Sequence, residues 1–248
     1  AALKAAGFGD MMAKYVALID WQVSNLLTGE SYCARVAELT RTAADRIFAM
    51  ADRVTRRDEK TAAAIFEALL MTGIAMSFTK TSRPGSGTEH ILAHFWECME
   101  LLDGKTPNYH GVDVGVATLM ILEYYEKLAQ LRQVTARPEV CSWDEIYRIY
   151  GELAPDVRRL NTPDTITDGL DPHKIETCWP EIRRIVQAAP SYDAVLAAMG
   201  AAGCILTPEA AGLDPALVTI GFRFHPYMRR RLSLKRVSHM LELPAELF

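Results

Sequence analysis

Three of the chain's six histidines, His90, His94 and His110, lie in one short stretch. That stretch, Ser82 to Gly111, opens with a Pro/Gly/Ser loop from Ser82 to Gly87. Ser86 and Glu89 have capping-box spacing, which predicts a helix starting near Gly87. His90 and His94, four residues apart, then leave one face of that helix about one turn from each other. Asp103, Gly104, Pro107 and Asn108 break the helix, and His110 with Gly111 opens the next. Two imidazoles from one helix and a third from a neighbouring helix start can converge on one point. Neutral imidazole is a good ligand for zinc, iron or nickel. An H-x-x-x-H pair is also common on helices that bind nothing, so a metal site asks for a further ligand, usually a carboxylate.

Asp10 offers that carboxylate. Ala6-Gly7-Phe8-Gly9-Asp10, followed by an apolar segment, reads as a glycine turn into a helix. At the cap of that helix Asp10 could equally do no more than accept backbone N–H groups. Three motifs follow one another in order: G-x-G-D-x-x-A-K-x-x-A-x-x-D-W, then S-R-P-x-S-G-x-E-H-x-x-x-H-F-W-E, then H-G-x-x-V-G-V-A-T. The set resembles the C-terminal, metal-binding half of the sn-glycerol-1-phosphate dehydrogenase family. Its wider group holds the glycerol dehydrogenases, the iron-containing alcohol dehydrogenases and the dehydroquinate synthases. The likeness is close from residue 5 to about residue 125 and rests beyond that on helical character and a basic C-terminal segment.

The resemblance implies an all-α helical bundle, the C-terminal domain of a two-domain dehydrogenase. It implies Asp10, His90 and His110 as ligands of a zinc ion, with nickel or iron as alternatives. Asp10 would also lie against the substrate. His94 would be a substrate contact that hydrogen-bonds a hydroxyl or relays a proton. The implied reaction is reduction of dihydroxyacetone phosphate with NADH or NADPH, by a cytoplasmic homo-oligomer. Lys80-Thr81 stands where small residues are expected before S-R-P, which keeps a glycerol or other polyol dehydrogenase as the rival. Ser82, Arg83 and Ser86 precede a helix start, a natural place for an anion. Arg83 is therefore expected to hold the substrate phosphate, the alternative being a pair with a neighbouring acid. Lys14, four residues after Asp10, is either a solvated ion pair or an anion-binding lysine.

The elements that must position these residues are helical throughout. Asp10 to Leu27 reads as a helix closed by Thr28-Gly29, Ser31 to Arg57 as a long alanine-rich one. Glu59 to Thr79 is apolar on nearly every side, which predicts a helix at the centre of a bundle, with Gly73 at a close contact or kink. The apolar run Ala62 to Phe78 reads as too short and punctuated to span a bilayer. Val112 to Leu131 is a further apolar helix. Beyond Arg132, prolines divide shorter segments: Ser142 to Gly151, His173 to Ala189 with Pro180 inside it, Ser191 to Met199, and Pro208 to Leu213. The domain reading is one unit over 1–248, a core bundle at 1–134 and shorter helices at 135–248.

Composition sets the bounds. The chain has 248 residues, half of them hydrophobic, and a net charge of −4. That suffices for a core and gives no reason to expect nucleic acid. Five scattered cysteines without a C-x-x-C pair fit a reducing compartment. No glycine-rich dinucleotide turn is present, so the nicotinamide is expected to sit mainly on an N-terminal nucleotide-binding domain absent from this chain. A catalytically silent helical module is the alternative that this absence supports. Arg223, Arg229, Arg230, Arg231, Lys235 and Arg236 form a basic cluster, read as a solvated face, with phosphate binding as the other possibility. His173, His225 and His239 fall outside any motif and are expected at the surface or packed.

Overall fold

In the computed structural model, which describes residues 2–244 and 247, one helix organises the rest. α1 runs from Ala2 to Thr28 and is buried on all sides from Met11 to Trp21. A helix apolar all round belongs inside a bundle. Around it pack α2 (Ala34–Phe48), α3 (Glu59–Thr79), α4 (Thr88–Leu102) and α5 (His110–Gln130). Six further helices follow, all but α8 shorter than these: α6 (Trp143–Tyr150), α7 (Ala154–Leu160), α8 (Pro172–Gln187), α9 (Tyr192–Ala201), α10 (Pro215–Phe224) and α11 (Leu234–Ser238). Among the described residues there is no strand, only an isolated bridge between Ala136 and Leu241. The all-α expectation holds. One continuous core joins both parts of the chain, from Phe8 and Met11 to Trp179, Leu234 and Val237.

Several local expectations are corrected. The glycines before Asp10 do not make a turn, because α1 passes straight through them and Asp10 lies inside the helix. They serve a helix crossing instead. A Cβ on Gly9 would come within 2.6 Å of the Gly111 carbonyl, and one on Gly111 within 2.1 Å of the Ala6 carbonyl. Only glycine lets two helix backbones approach so closely. The end of α1 is as read: Gly29, at φ +74°, closes it with a bond from its N–H to the Asn25 carbonyl. The second helix stops at Phe48, well short of Arg57. Residues 208–212 form turns rather than a helix.

α3 has the predicted bounds but not the predicted place. Ala64, Ile65, Ala68, Thr72 and Ala75 pack inward against α1 and α2, while Phe66, Leu70, Ile74 and Phe78 stand exposed at four-residue intervals. The central helix is therefore α1, and α3 is a peripheral helix with an uncovered apolar stripe. Gly73 has no heavy atom within 4 Å of its added Cβ, so it marks no close contact. At 21 residues, α3 is also long and apolar enough to cross a membrane by length and composition, contrary to the reading of its apolar run. Its inner face packs on neighbours as a bundle helix does.

Candidate metal centre

The histidine helix is held at its start by a residue far away in sequence. Asp20, buried in α1, accepts from the Thr88 N–H through Oδ2 at 2.7 Å, while its Oδ1 accepts from Tyr125 Oη–H at 2.7 Å and from the Leu234 N–H at 2.9 Å. One carboxylate thus caps α4 and α11 and ties both to α5. Neither half of the predicted Ser86–Glu89 capping box forms: Ser86 makes no side-chain cap, its N–H bonds the Ser82 carbonyl, and Glu89 Oε1 accepts instead from the Gly87 N–H at 2.9 Å. Burial, with Glu89 close by, raises the Asp20 carboxyl to about 6.

Glu89 then reaches the first imidazole. His90 Nδ1 lies 2.6 Å from Glu89 Oε1, and its other nitrogen, Nε2, lies 3.1 Å from Asp10 Oδ1. Asp10 also takes Lys14 Nζ at 3.2 Å, and Lys14 donates to the Gly85 carbonyl at 2.9 Å. Lys14 is buried, so its pair with Asp10 is not a solvated one. Burial alone would raise the Asp10 carboxyl; Lys14 and His90 outweigh it and hold the group well below the usual carboxylate range. His90 is affected in the opposite sense. Burial and Lys14 push its pKa down, but the bonds to Asp10 and Glu89 prevail and raise it.

A second carboxylate orients the other two rings. His94 Nδ1 meets Glu97 Oε2 at 2.9 Å and His110 Nδ1 meets Glu97 Oε1 at 2.7 Å. The two imidazoles stack with centroids 5.1 Å apart. Each donor nitrogen bound to a carboxylate leaves the other nitrogen of its ring as an acceptor. Burial acts to raise the Glu97 carboxyl, and the two histidine bonds override it, down to about 2.

Asp10, His90 and His110 each present a ligand atom within 4.8 Å of the others. Tetrahedral zinc needs ligand atoms ~3.3 Å apart, so modest side-chain adjustment satisfies it; one carboxylate oxygen and two imidazole nitrogens are a fitting donor set. His94, Glu97 and His110 form a second such trio that shares His110. All four predicted residues, Asp10, His90, His94 and His110, line one cavity of about 460 Å³. Arg83 does not. Its guanidinium turns inward to Glu30, with Nε at 2.8 Å, and to the Ser24 hydroxyl and Leu232 carbonyl. That is the acid-pairing alternative, and it removes Arg83 from the cavity lining. Glu89 entered the sequence reading only as a capping residue, and Glu97 and Asp20 only as members of the motifs; none was given a role at the site. The first two stand one and three residues from a histidine, which was signal enough for one.

The basic cluster is a solvated face only in part: Arg223 and Arg230 are exposed and stand beside Glu145 and Asp164. Lys235 and Arg236 are buried, Arg236 being paired with Glu139, while Arg229 and Arg231 line the cavity beside the histidines. Of the remaining histidines, His173 is exposed, whereas His225 is buried and His239 nearly so.

No family model matches the chain. It is similar over 98% of its length, at 30% identity, to a glycerol-1-phosphate dehydrogenase (NAD(P)+) of Geobacillus stearothermophilus, covering 54% of that protein. The namesake of Geobacillus thermodenitrificans is 33% identical over 88% of the chain and 48% of the relative. That of Halalkalibacterium halodurans is 40% identical over 54% of the chain and 34% of the relative. The chain belongs to this family. It spans about half the length of the curated relatives it matches.

Proposed function

We propose that the chain is the metal- and substrate-binding part of an NAD(P)-dependent glycerol-1-phosphate dehydrogenase that reduces dihydroxyacetone phosphate. The observation that carries this is the convergence of Asp10, His90 and His110 on one side of a cavity that His94 also lines. Asp10, His90 and His110 hold the metal, zinc by preference and nickel or iron as alternatives. A bound divalent ion with an open position supplies Lewis acidity toward a ketone oxygen. The chain's own residues do the rest. Glu89 and Glu97 fix the tautomers of His90 and His110, so that the ring nitrogens facing the cavity carry lone pairs. Lys14 keeps Asp10 ionised. His94, held on Glu97, is placed to hydrogen-bond a substrate hydroxyl or to relay a proton to the oxygen as hydride reaches the carbonyl carbon.

The hydride comes from a nicotinamide. The relatives' printed names include NAD(P)+, and this chain holds no glycine-rich dinucleotide turn, so we place the cofactor mainly on the part of the enzyme outside these 248 residues. Five unpaired cysteines support a cytoplasmic setting, and the bare apolar stripe of α3 supports a homo-oligomer. The test is metal stoichiometry on the purified chain beside His110→Ala. About one zinc, nickel or iron per chain, lost in the variant, is expected. An equal metal content in both proteins refutes the ligand set. Turnover of free glycerol equal to that of glycerol 1-phosphate by the complete enzyme refutes the substrate.

A further inference from the structure

The cavity beside the histidines carries more positive charge than its metal-binding side uses. Its charged lining is Asp10, Lys14, Arg229 and Arg231, and Asp10 is already engaged by Lys14 and His90. Arg231 is largely buried and donates only to neutral partners, the Ser86 carbonyl and the Ser82 Oγ, each at 2.6 Å. Burial and the neighbouring Arg83 guanidinium push its pKa down to about 10. Three carboxylates act to raise it, Glu89, Asp20 and Glu30, but each is engaged elsewhere: Glu89 by His90 and the Gly87 N–H, Asp20 by its three donors, and Glu30 by Arg83. Arg229 makes no ion pair among the described residues. A buried guanidinium without its own carboxylate is costly to maintain unless an anion arrives to meet it.

The start of α4 is not the anion site that the sequence suggested. Its first free N–H groups are taken: Gly87 N–H by Glu89 and Thr88 N–H by Asp20. The Gly85 and Ser86 N–H groups close on the Ser82 carbonyl. From residue 85 to residue 88 the N–H groups are thus spent, and this loop offers an anion its side chains. Two guanidiniums suit phosphate oxygens in planar, bidentate geometry. The Ser82 Oγ, fixed as an acceptor by Arg231, keeps its own O–H to donate.

We propose that Arg229 and Arg231, with the hydroxyls of Ser82 and Ser86, form the subsite for the phosphate monoester of the substrate. The inference rests on the function proposed above and assigns its phosphate recognition to the segment after α10 rather than to Arg83. It also places phosphate and metal on the lining of one cavity, as a short three-carbon phosphate ester requires.

Titration of the chelator-treated chain with inorganic phosphate, followed by calorimetry, tests the subsite without the metal or cofactor. The parent is expected to bind at one site. Arg231→Met and Arg229→Ala should each weaken binding by about tenfold or more. Arg230→Ala is the control, since Arg230 lies between them in sequence but pairs with Asp164 at the surface; it should bind as the parent does. Arg231 also braces the 82–87 loop, so the exposed Arg229 variant keeps the test valid if Arg231→Met unfolds. Absence of saturable binding in the parent, or equal weakening by Arg230→Ala, overturns the subsite. In the complete enzyme, Arg229→Ala should raise KM for dihydroxyacetone phosphate about tenfold and leave that for dihydroxyacetone unchanged. A parent that prefers the phosphorylated substrate and a variant that does so equally well would remove the subsite and leave the function standing. A parent with no such preference would remove the function itself.

Discussion

Of the glycines, Gly111 at the crossing of α1 and α5 leaves the least room for a Cβ, and Gly111→Ala tests what that crossing does for the site. An added methyl would sit 2.1 Å from the Ala6 carbonyl oxygen and 2.6 Å from its carbon, both backbone atoms that no rotamer change can move. Ordinary contact begins at 3.4 Å, so the helices must separate by roughly 1.3 Å at this point. Overpacking of a core costs ~1–3 kcal/mol when side chains can yield, and a backbone clash belongs at or above the upper end. The better helix propensity of alanine returns ~1 kcal/mol at most. A net loss of about 2 kcal/mol lowers the melting temperature of a domain this size by ~4–8 °C. The functional effect is larger than the thermal one. His110 immediately precedes Gly111, and metal ligands tolerate only about ±0.2 Å. Added to the present spread of up to 4.8 Å among the three candidate ligand atoms, against the ~3.3 Å of tetrahedral zinc, a separation of this size is expected to weaken metal binding by His110 with Asp10 and His90. Thermal unfolding with and without zinc, beside metal stoichiometry, reads both effects. An unchanged melting temperature together with full metal occupancy would refute the close approach and its role in placing His110.

Further expectations follow from the same geometry. Gly73→Ala, in a helix interior with open space around the site, should raise stability by ~0.5–1 kcal/mol, seen as a higher melting temperature. Glu97→Gln should weaken metal binding by ~10–100-fold without removing a ligand, because it releases His94 and His110 from fixed orientations; competition with a chromogenic chelator measures it. Glu139 is brought down to about 2, burial opposing and His239 and Arg236 prevailing. A carboxylate lowered from 4.5 gives stability that is present above pH 4.5 and is lost as the pH falls through about 2, worth ~3 kcal/mol. Glu139→Gln should therefore flatten that acid limb and, by leaving Arg236 buried and unpaired, cost ~3–5 kcal/mol at neutral pH; denaturant titrations across pH check both.

Much of the fold was legible because the signals are local. The apolar periodicity of α3, α5 and α8, the Thr28-Gly29 stop and the Ser191 cap all lie within one turn of what they specify. The Asp214-Pro215 pair at the start of α10 was equally local, a cap followed by proline at the first helical position, and was passed over. What could not be read is long-range. Gly7 and Gly9 carry the composition of a turn, and only the arrival of Ile65 from α3 and of Gly111 from α5 makes them points of close approach. The even hydrophobicity of α3 points to a central helix, but within this chain only one of its faces meets partners. Arg83 and Arg231 have the same local promise toward an anion. Their fates were decided by Glu30, whose carboxylate sits beside one and leaves the other unmatched.

The candidate site shows the same division. The spacing of His90, His94 and His110 was visible, whereas the reason they converge lies in Asp20, a member of the first motif whose distant partners no spacing reveals. Its two carboxylate oxygens meet the start of α4, the start of α11 and a tyrosine of α5. α4 carries two of the histidines and α5 begins with the third, while the segment leading into α11 carries Arg229 and Arg231. One buried carboxylate from the central helix therefore fixes the metal-binding elements relative to the arginines across more than two hundred residues of sequence. A carboxylate raised toward neutrality by burial, yet fully engaged by three donors, is what such a junction requires: an acceptor in every direction, with little charge left to solvate. Bringing the histidines and the arginines to one cavity is thus a property of the α1 core rather than of either loop.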